Sequence, residues 1–269
     1  MIRDTLPHTQ EATFCVEFPS ARQHGMPTPA GTGFFVSPDG WFVTAAHVVT
    51  QNNASDGLVR DDIGEAWLMK EIRQAGGPPG AMCQGVSIGH VIPHLDFALL
   101  RVDFAENATK TFLTGKSEFP FVSVSRRDLD EGESVYSFGY PLSSAVAQDL
   151  NSMIVGTELL CPRVTSAIVS STLEQTGAVM TSGDPRIYVL DKALNYGNSG
   201  GPIVSTETGR VHAFCSRFQP VFVPQPHLRD ANGAAMAIMI PSLYGVVSSL
   251  GNVEVLSLLE QLGVPLVDD

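Results

Sequence analysis

The sequence predicts an all-β protein, arranged as two barrels or a sandwich and finished by a single helix. Two observations carry this. Short runs rich in Val, Phe and Ile recur along most of the chain, each bounded by Gly, Pro, Asp or Ser. Apolar residues recur at steps of three and four only in the tail.

In the first half the strand-like runs cover residues 13–18, 32–36, 41–44, 86–92, 97–102, 121–124 and 134–138. Ser37-Pro38-Asp39-Gly40 lies between two of them and reads as a hairpin turn, with Pro presetting φ and Gly supplying a positive one. The second half repeats the theme at 164–169, 187–190, 202–205, 210–216 and 235–240, with Glu207-Thr208-Gly209 as a turn. Residues 51–64, 74–80 and 219–233 read as surface loops. From 242 to 262, Leu243, Val246, Val247, Leu250, Val255, Leu258, Leu259 and Leu262 predict a helix, with a break at Gly251-Asn252 and a stop at Gly263 and Pro265.

Composition narrows the function classes. The 269 residues are 43% hydrophobic and 16% charged, which excludes a disordered or collagen-like chain. A net charge of −12 argues against nucleic acid or an anionic membrane as partner, since both need a positive field. No apolar run approaches the roughly 18 residues of a membrane span. At the start, Asp4, Pro7, His8, Gln10 and Glu11 stand where an export signal would carry its apolar core, so a cytoplasmic location is expected. Cys15, Cys83, Cys161 and Cys215 are widely spread, form no CxxC pair and have no His at ligand spacing. They read as buried thiols rather than metal ligands, with two disulfides left open.

The segment Asn195-Tyr196-Gly197-Asn198-Ser199-Gly200-Gly201-Pro202 is the most informative. Glycines on both sides of one serine let the backbone turn sharply and aim several N–H groups at one point. Attack on a carbonyl needs a nucleophilic oxygen and donors for the developing oxyanion. The amides of Gly197 and Ser199 are the expected donors. A serine hydroxyl also needs a base, and His47, just past the run 41–46, is the candidate. Asp96 opens the apolar run 97–100 and is the candidate carboxylate for fixing the imidazole tautomer. A charge leading into a buried strand is costly without a partner. Each residue taken singly has a bland structural reading; their conjunction in the order His, Asp, Ser does not.

These segments resemble the chymotrypsin-fold, trypsin-like serine peptidases, and within them the HtrA/Deg branch. The resemblance rests on 31–49, Asp96-Phe97-Ala98-Leu99-Leu100, Gly139-Tyr140-Pro141, 164–170, 191–204 and Ala237-Ile238-Met239-Ile240-Pro241. It implies two six-stranded antiparallel β-barrels with His47 as base, Asp96 as orienting carboxylate and Ser199 as nucleophile in the cleft between them. The implied organisation is a barrel over 1–117, a second over 118–241, and a C-terminal helix and tail over 242–269. With 28 residues after Pro241, no PDZ domain is expected in this chain. The resemblance also places Ala193 at the floor of the S1 pocket and Phe214, Cys215, Ser216 and Ala237 along its walls. An uncharged floor favours a modest apolar P1 residue such as Val, Leu, Ala or Met, unless Glu174, Asp184 or Asp230 intrudes from a loop. The run 214–216 is expected to pair with an extended or unfolded polypeptide substrate.

Two departures from the family bear on mechanism. His47 and Asp96 are 49 residues apart and Asp96 and Ser199 are 103 apart, which implies long surface loops. Asn198 stands where secreted digestive relatives carry the aspartate used in zymogen activation, so the oxyanion loop must be ordered some other way. The expected function is serine endopeptidase, with no metal or cofactor. The rival is a silent protease-like binding module, and an esterase ranks third. The tail helix leaves room for an oligomer contact or a regulatory partner.

Overall fold

The computed structural model describes residues 2–23, 26–51, 58–71, 80–110, 113–141, 144–150, 153–160, 162–173, 186–217, 221–229, 233, 235–240 and 244–268. The first strands are β1 (Thr13–Gln23), β2 (Met26–Phe35), β3 (Trp41–Ala45), β4 (Trp67–Glu71), β5 (Gly80–Cys83), β6 (Val86–Ile92) and β7 (Phe97–Val102). They form one antiparallel sheet of seven strands in the order β5-β4-β1-β2-β3-β7-β6, one strand more than expected. Both faces of β3 and β7 are covered, so their sequences are apolar runs rather than alternations. Phe35 centres the core, stacked on Phe119 at 4.3 Å and edge-on to Phe14 and Phe42. Each such buried ring contributes about 1.5–3 kcal/mol of transfer free energy.

The turn at 37–40 forms as its residues dictate. Ser37 Oγ donates to Asp39 Oδ1 (2.6 Å) and accepts from Trp41 N (2.9 Å). Gly40 takes φ +106°, and a Cβ there would sit 2.1 Å from the Val102 carbonyl oxygen.

The second unit contains β8 (Val124–Ser125), β9 (Ser134–Gly139), β12 (Arg163–Leu173), β13 (Ile187–Leu190), β14 (Pro202–Ser205), β15 (Val211–Arg217), β18 (Gly245–Ser249) and β19 (Leu266–Val267). Six of these close on themselves in the order β14-β9-β12-β13-β18-β15, the β14–β15 pairing completing the antiparallel barrel. Val135, Val169, Tyr188, Leu190, Ile203 and Val247 fill its interior. Two hairpins stand apart from it: β10 (Ser144–Leu150) with β11 (Met153–Leu159), and β16 (Val221–Arg229) with β17 (Ala235–Ile240).

Among the described residues the α-helices are α1 (Ile2–Ala12), α2 (Ala46–Val49), α3 (Phe104–Asn107) and α4 (Val253–Gln261). Among the described residues, no helix is long and apolar enough to cross a membrane. α1 bridges the units. The Tyr136 hydroxyl of β9 lies 2.9 Å from both Thr5 Oγ1 and Thr9 Oγ1, and Lys70 Nζ of β4 donates to the carbonyls of Gln10 and Glu11.

Several expectations are corrected here. The helix expected from 242 is shorter: its first half is β18, a barrel strand paired with β13 and β15, so the second barrel runs past the boundary expected at 241. Gly251-Asn252 does mark a break, because Asn252 Oδ1 caps α4 by accepting from Glu254 N (2.9 Å). The segment 219–233, expected as a loop, supplies β16. The run 235–240 is a strand, but it belongs to a separate hairpin and not to the barrel wall. α1 was not expected at all. Cys15, Cys83 and Cys215 are buried free thiols; Cys161 lies outside the described residues.

Candidate active site

His47 lies in α2, the single turn that follows β3, with its side chain 26% exposed. Asp96 lies where β7 begins, directly after a tight turn over Pro93–Leu95. Because β3 and β7 are neighbours with Ala45 opposite Phe97, the two residues come together across 49 positions of sequence.

The pairing is dense. His47 Nδ1 lies 2.9 Å from Asp96 Oδ2 and 3.0 Å from Oδ1, and the His47 backbone N–H donates to Oδ1 at 3.0 Å. Ser216 Oγ donates to Oδ2 at 2.6 Å, and Ala46 N donates to the Asp96 carbonyl at 2.7 Å. A carboxylate that is only 6% exposed is thus surrounded by donors, as burial of a charge requires. Asp96 has φ +54°, and it is the one non-glycine residue among those described with a positive φ. Such a conformation costs about 1–2 kcal/mol for most L-residues and less for Asp. Here it turns the chain so that the carboxylate faces back toward His47 rather than along β7.

Ser199 lies in a tight turn between β13 and β14, docked on the first unit. Its carbonyl accepts from Thr32 N at 2.7 Å. A Cβ on Gly200 would meet Thr32 O at 2.2 Å, Thr44 Oγ1 at 2.3 Å and Ala45 N at 2.7 Å, so only glycine lets the turn rest on β2 and β3, the strand that leads into His47. Gly197 takes φ +93°, with the Tyr140 carbonyl 2.4 Å from where its Cβ would be. The turn is closed by Gly201 N donating to Asn198 O (2.7 Å) and Asn198 N donating to Asn195 O (3.0 Å). Among the described residues, neither Gly197 N nor Ser199 N has an acceptor.

The residues expected to line the specificity pocket fare differently. Ala193 is half-buried in the irregular stretch before the turn. Phe214 is fully buried in the core, its ring 6.1 Å from that of Phe97. Cys215 is buried with both backbone groups taken, its carbonyl by Gly200 N (2.6 Å) and its N–H by Gly201 O (2.8 Å). Burial, reinforced by the charge of Asp96, pushes its thiol up to about 12, so it is no rival nucleophile. Ser216 turns its hydroxyl onto Asp96 rather than into an open pocket. Pairing of a substrate strand along 214–216 is therefore pre-empted at Phe214, which β14 and β18 flank, and at Cys215.

Ala237 belongs to the β16–β17 hairpin. The barrel strand that passes the 192–194 stretch is β18, where a Cβ on Gly245 would lie 2.8 Å from Lys192 O and 3.0 Å from Leu194 Cγ. Two apolar stretches, 237–240 and 245–247, precede a Pro or Ser, and the second is the one paired into the barrel. Sequence reasoning also missed Ser216 as a partner of Asp96, and Thr32 beneath the serine turn. Glu174, Asp184 and Asp230 lie outside the described residues.

The paired His47 and Asp96 and the glycine-built turn at Ser199 fall within one matched family segment. The chain matches the trypsin-like peptidase domain family over residues 31–213 and belongs to it. Its relatives include serine protease HTRA1 of Xenopus tropicalis, 30% identical over 184 residues, covering 68% of this chain and 30% of that protein. Serine protease HTRA4 of Homo sapiens is 27% identical over 186 residues, covering 68% and 29%. The uncharacterized protein y4bJ of Sinorhizobium fredii is 30% identical over 188 residues, covering 70% and 22%. The chain thus spans less than a third of the length of these relatives. In fold it is similar to the HtrA-type protease AlgW with tripeptide, at a TM-score of 0.53 and 16% identity, covering 98% of this chain and 65% of that one.

Proposed function

We propose that the chain is a serine endopeptidase that cleaves polypeptides through an acyl-enzyme. The observation that carries this is the buried Asp96 bonded to His47 Nδ1, which leaves the other ring nitrogen of His47 to serve as base. His47 takes the proton of Ser199 as its oxygen adds to the peptide carbonyl, and returns it to the leaving amine as the C–N bond breaks. Water then attacks the ester by the same route, regenerating Ser199 and releasing the acid. Gly197 N and Ser199 N donate to the oxyanion in both steps.

An extended substrate joins the backbone from Ser216 onward, because Phe214 and Cys215 are already engaged. The uncharged Ala193 supports a small or medium apolar P1 residue.

A fluorophosphonate probe tests the reading. Stoichiometric labelling at Ser199, absent in Ser199→Ala, is the expected result, together with peptide-library cleavage after apolar residues. Undiminished cleavage by Ser199→Ala, or no labelling of the wild type, would leave a silent binding module instead.

A further inference from the structure

We infer that Thr32 is the positioning residue that holds the oxyanion loop in its working shape, reaching into the second unit from the first. The inference rests on Ser199 being the nucleophile. The loop needs such a restraint. Gly197 and Gly200 both adopt positive φ, and Gly201 follows, so the sequence gives this turn little conformational preference of its own. Asn198 carries no charge with which to anchor it.

Thr32 supplies what the loop lacks. Its hydroxyl donates to the Gly197 carbonyl at 2.5 Å and accepts from Tyr140 N at 3.1 Å, so its hydrogen and a lone pair are both committed. Its backbone N–H donates to Ser199 O at 2.7 Å. One residue therefore grips the loop on both sides of Asn198, and through Tyr140 it locks the loop to the end of β9. Thr32 is itself fixed: it is fully buried, and its carbonyl accepts from Thr44 Oγ1 at 2.7 Å. Holding the Gly197 carbonyl fixes the peptide plane that follows Gly197, and holding the Ser199 carbonyl fixes the plane that follows the nucleophile. These two planes carry the amides of Asn198 and Gly200, so fixing them limits the rotations left to the Gly197 and Ser199 amides between and beside them.

Loss of the hydroxyl lets the loop populate shapes in which those amides diverge. The productive fraction falls, and with it kcat, while ground-state binding of a short peptide changes little. His47 and Asp96 are not touched by the change.

The test compares Thr32→Val, which keeps shape but neither donates nor accepts, with Thr32→Ser, which keeps the hydroxyl. For Thr32→Val, kcat on a short peptide ester and the fluorophosphonate labelling rate should both fall at least about tenfold, with KM within about twofold of wild type. The acid limb of the kcat/KM–pH profile should stay where the wild type has it. Thr32→Ser should retain most of the rate. Wild-type rates in Thr32→Val overturn the inference, as does an equal loss in Thr32→Ser, which would assign the effect to the methyl group. Should Thr32→Val lose cooperative melting, Thr32→Ala against Thr32→Ser gives the same contrast. A wild type that neither labels nor cleaves sinks the nucleophile reading itself. An active wild type with an unaffected Thr32→Val sinks only the present inference.

Discussion

The two units deliver the proposed active-site groups by different means. The first brings His47 and Asp96 from the facing ends of β3 and β7, adjacent strands whose side chains are almost entirely buried. The second presents Ser199 on a turn of glycines, held by strands of the other unit as much as by its own. A carboxylate and an imidazole need a rigid, desolvated pairing, which a packed sheet provides. A nucleophile with flanking amide donors needs a backbone shape that side-chain-bearing residues cannot adopt, which only glycine provides. The first half should therefore fail through lost electrostatics, and the second through lost geometry.

Four substitutions sharpen or break that contrast. Asp96→Asn removes the charge and turns one of the two acceptor oxygens that set the His47 tautomer into a donor, and kcat/KM should drop on the order of 10⁴-fold with a native melt. A loss below about tenfold would mean the pair is structural only. Gly200→Ala should destabilise the fold by more than about 2 kcal/mol, since a Cβ there meets backbone at 2.2 Å; Gly132, also at positive φ but in open space, should cost only about 1 kcal/mol when changed to Ala. Equal denaturation midpoints for the two variants would refute the geometric argument. Ser216→Ala takes one donor from a charged, buried acceptor, and about a tenfold loss of kcat/KM is expected with KM steady. Asn252→Ala loses the cap of α4, so stability should fall by about 1 kcal/mol or more in urea titration while kcat stays unchanged.

Legibility in the sequence followed the same divide. β6, β7, β13 and β14 have the bounds their runs suggest; for β7 and β14 the reason is that strands covered on both faces need apolar runs. The serine turn announced itself through glycine chemistry, and His47 and Asp96 through their positions at strand ends. What was missed depends on tertiary partners. Val246 and Val247 suit a helical stripe or a strand equally, and pairing with β13 and β15 decides for the strand. Pro220, Pro224 and Pro226 made the 219–233 segment look like a loop, but a two-stranded hairpin leaves one edge of β16 where proline removes no ladder bond. α1 has only a short apolar face, of Ile2, Leu6 and Ala12, and contains Pro7; hydroxyl contacts to Tyr136 and the ammonium of Lys70 add to that packing. Ser216 and Thr32 carry no motif, since a hydroxyl's role is set by what lies within its reach.

The docking of α1 has a consequence for how the protein is made. Thr9 meets Tyr136 across 127 residues of chain. An isolated helix of this length is marginal in water, so α1 gains its stability from partners far along the chain. In synthesis, the contact of α1 with the second unit therefore forms only after β9 has emerged.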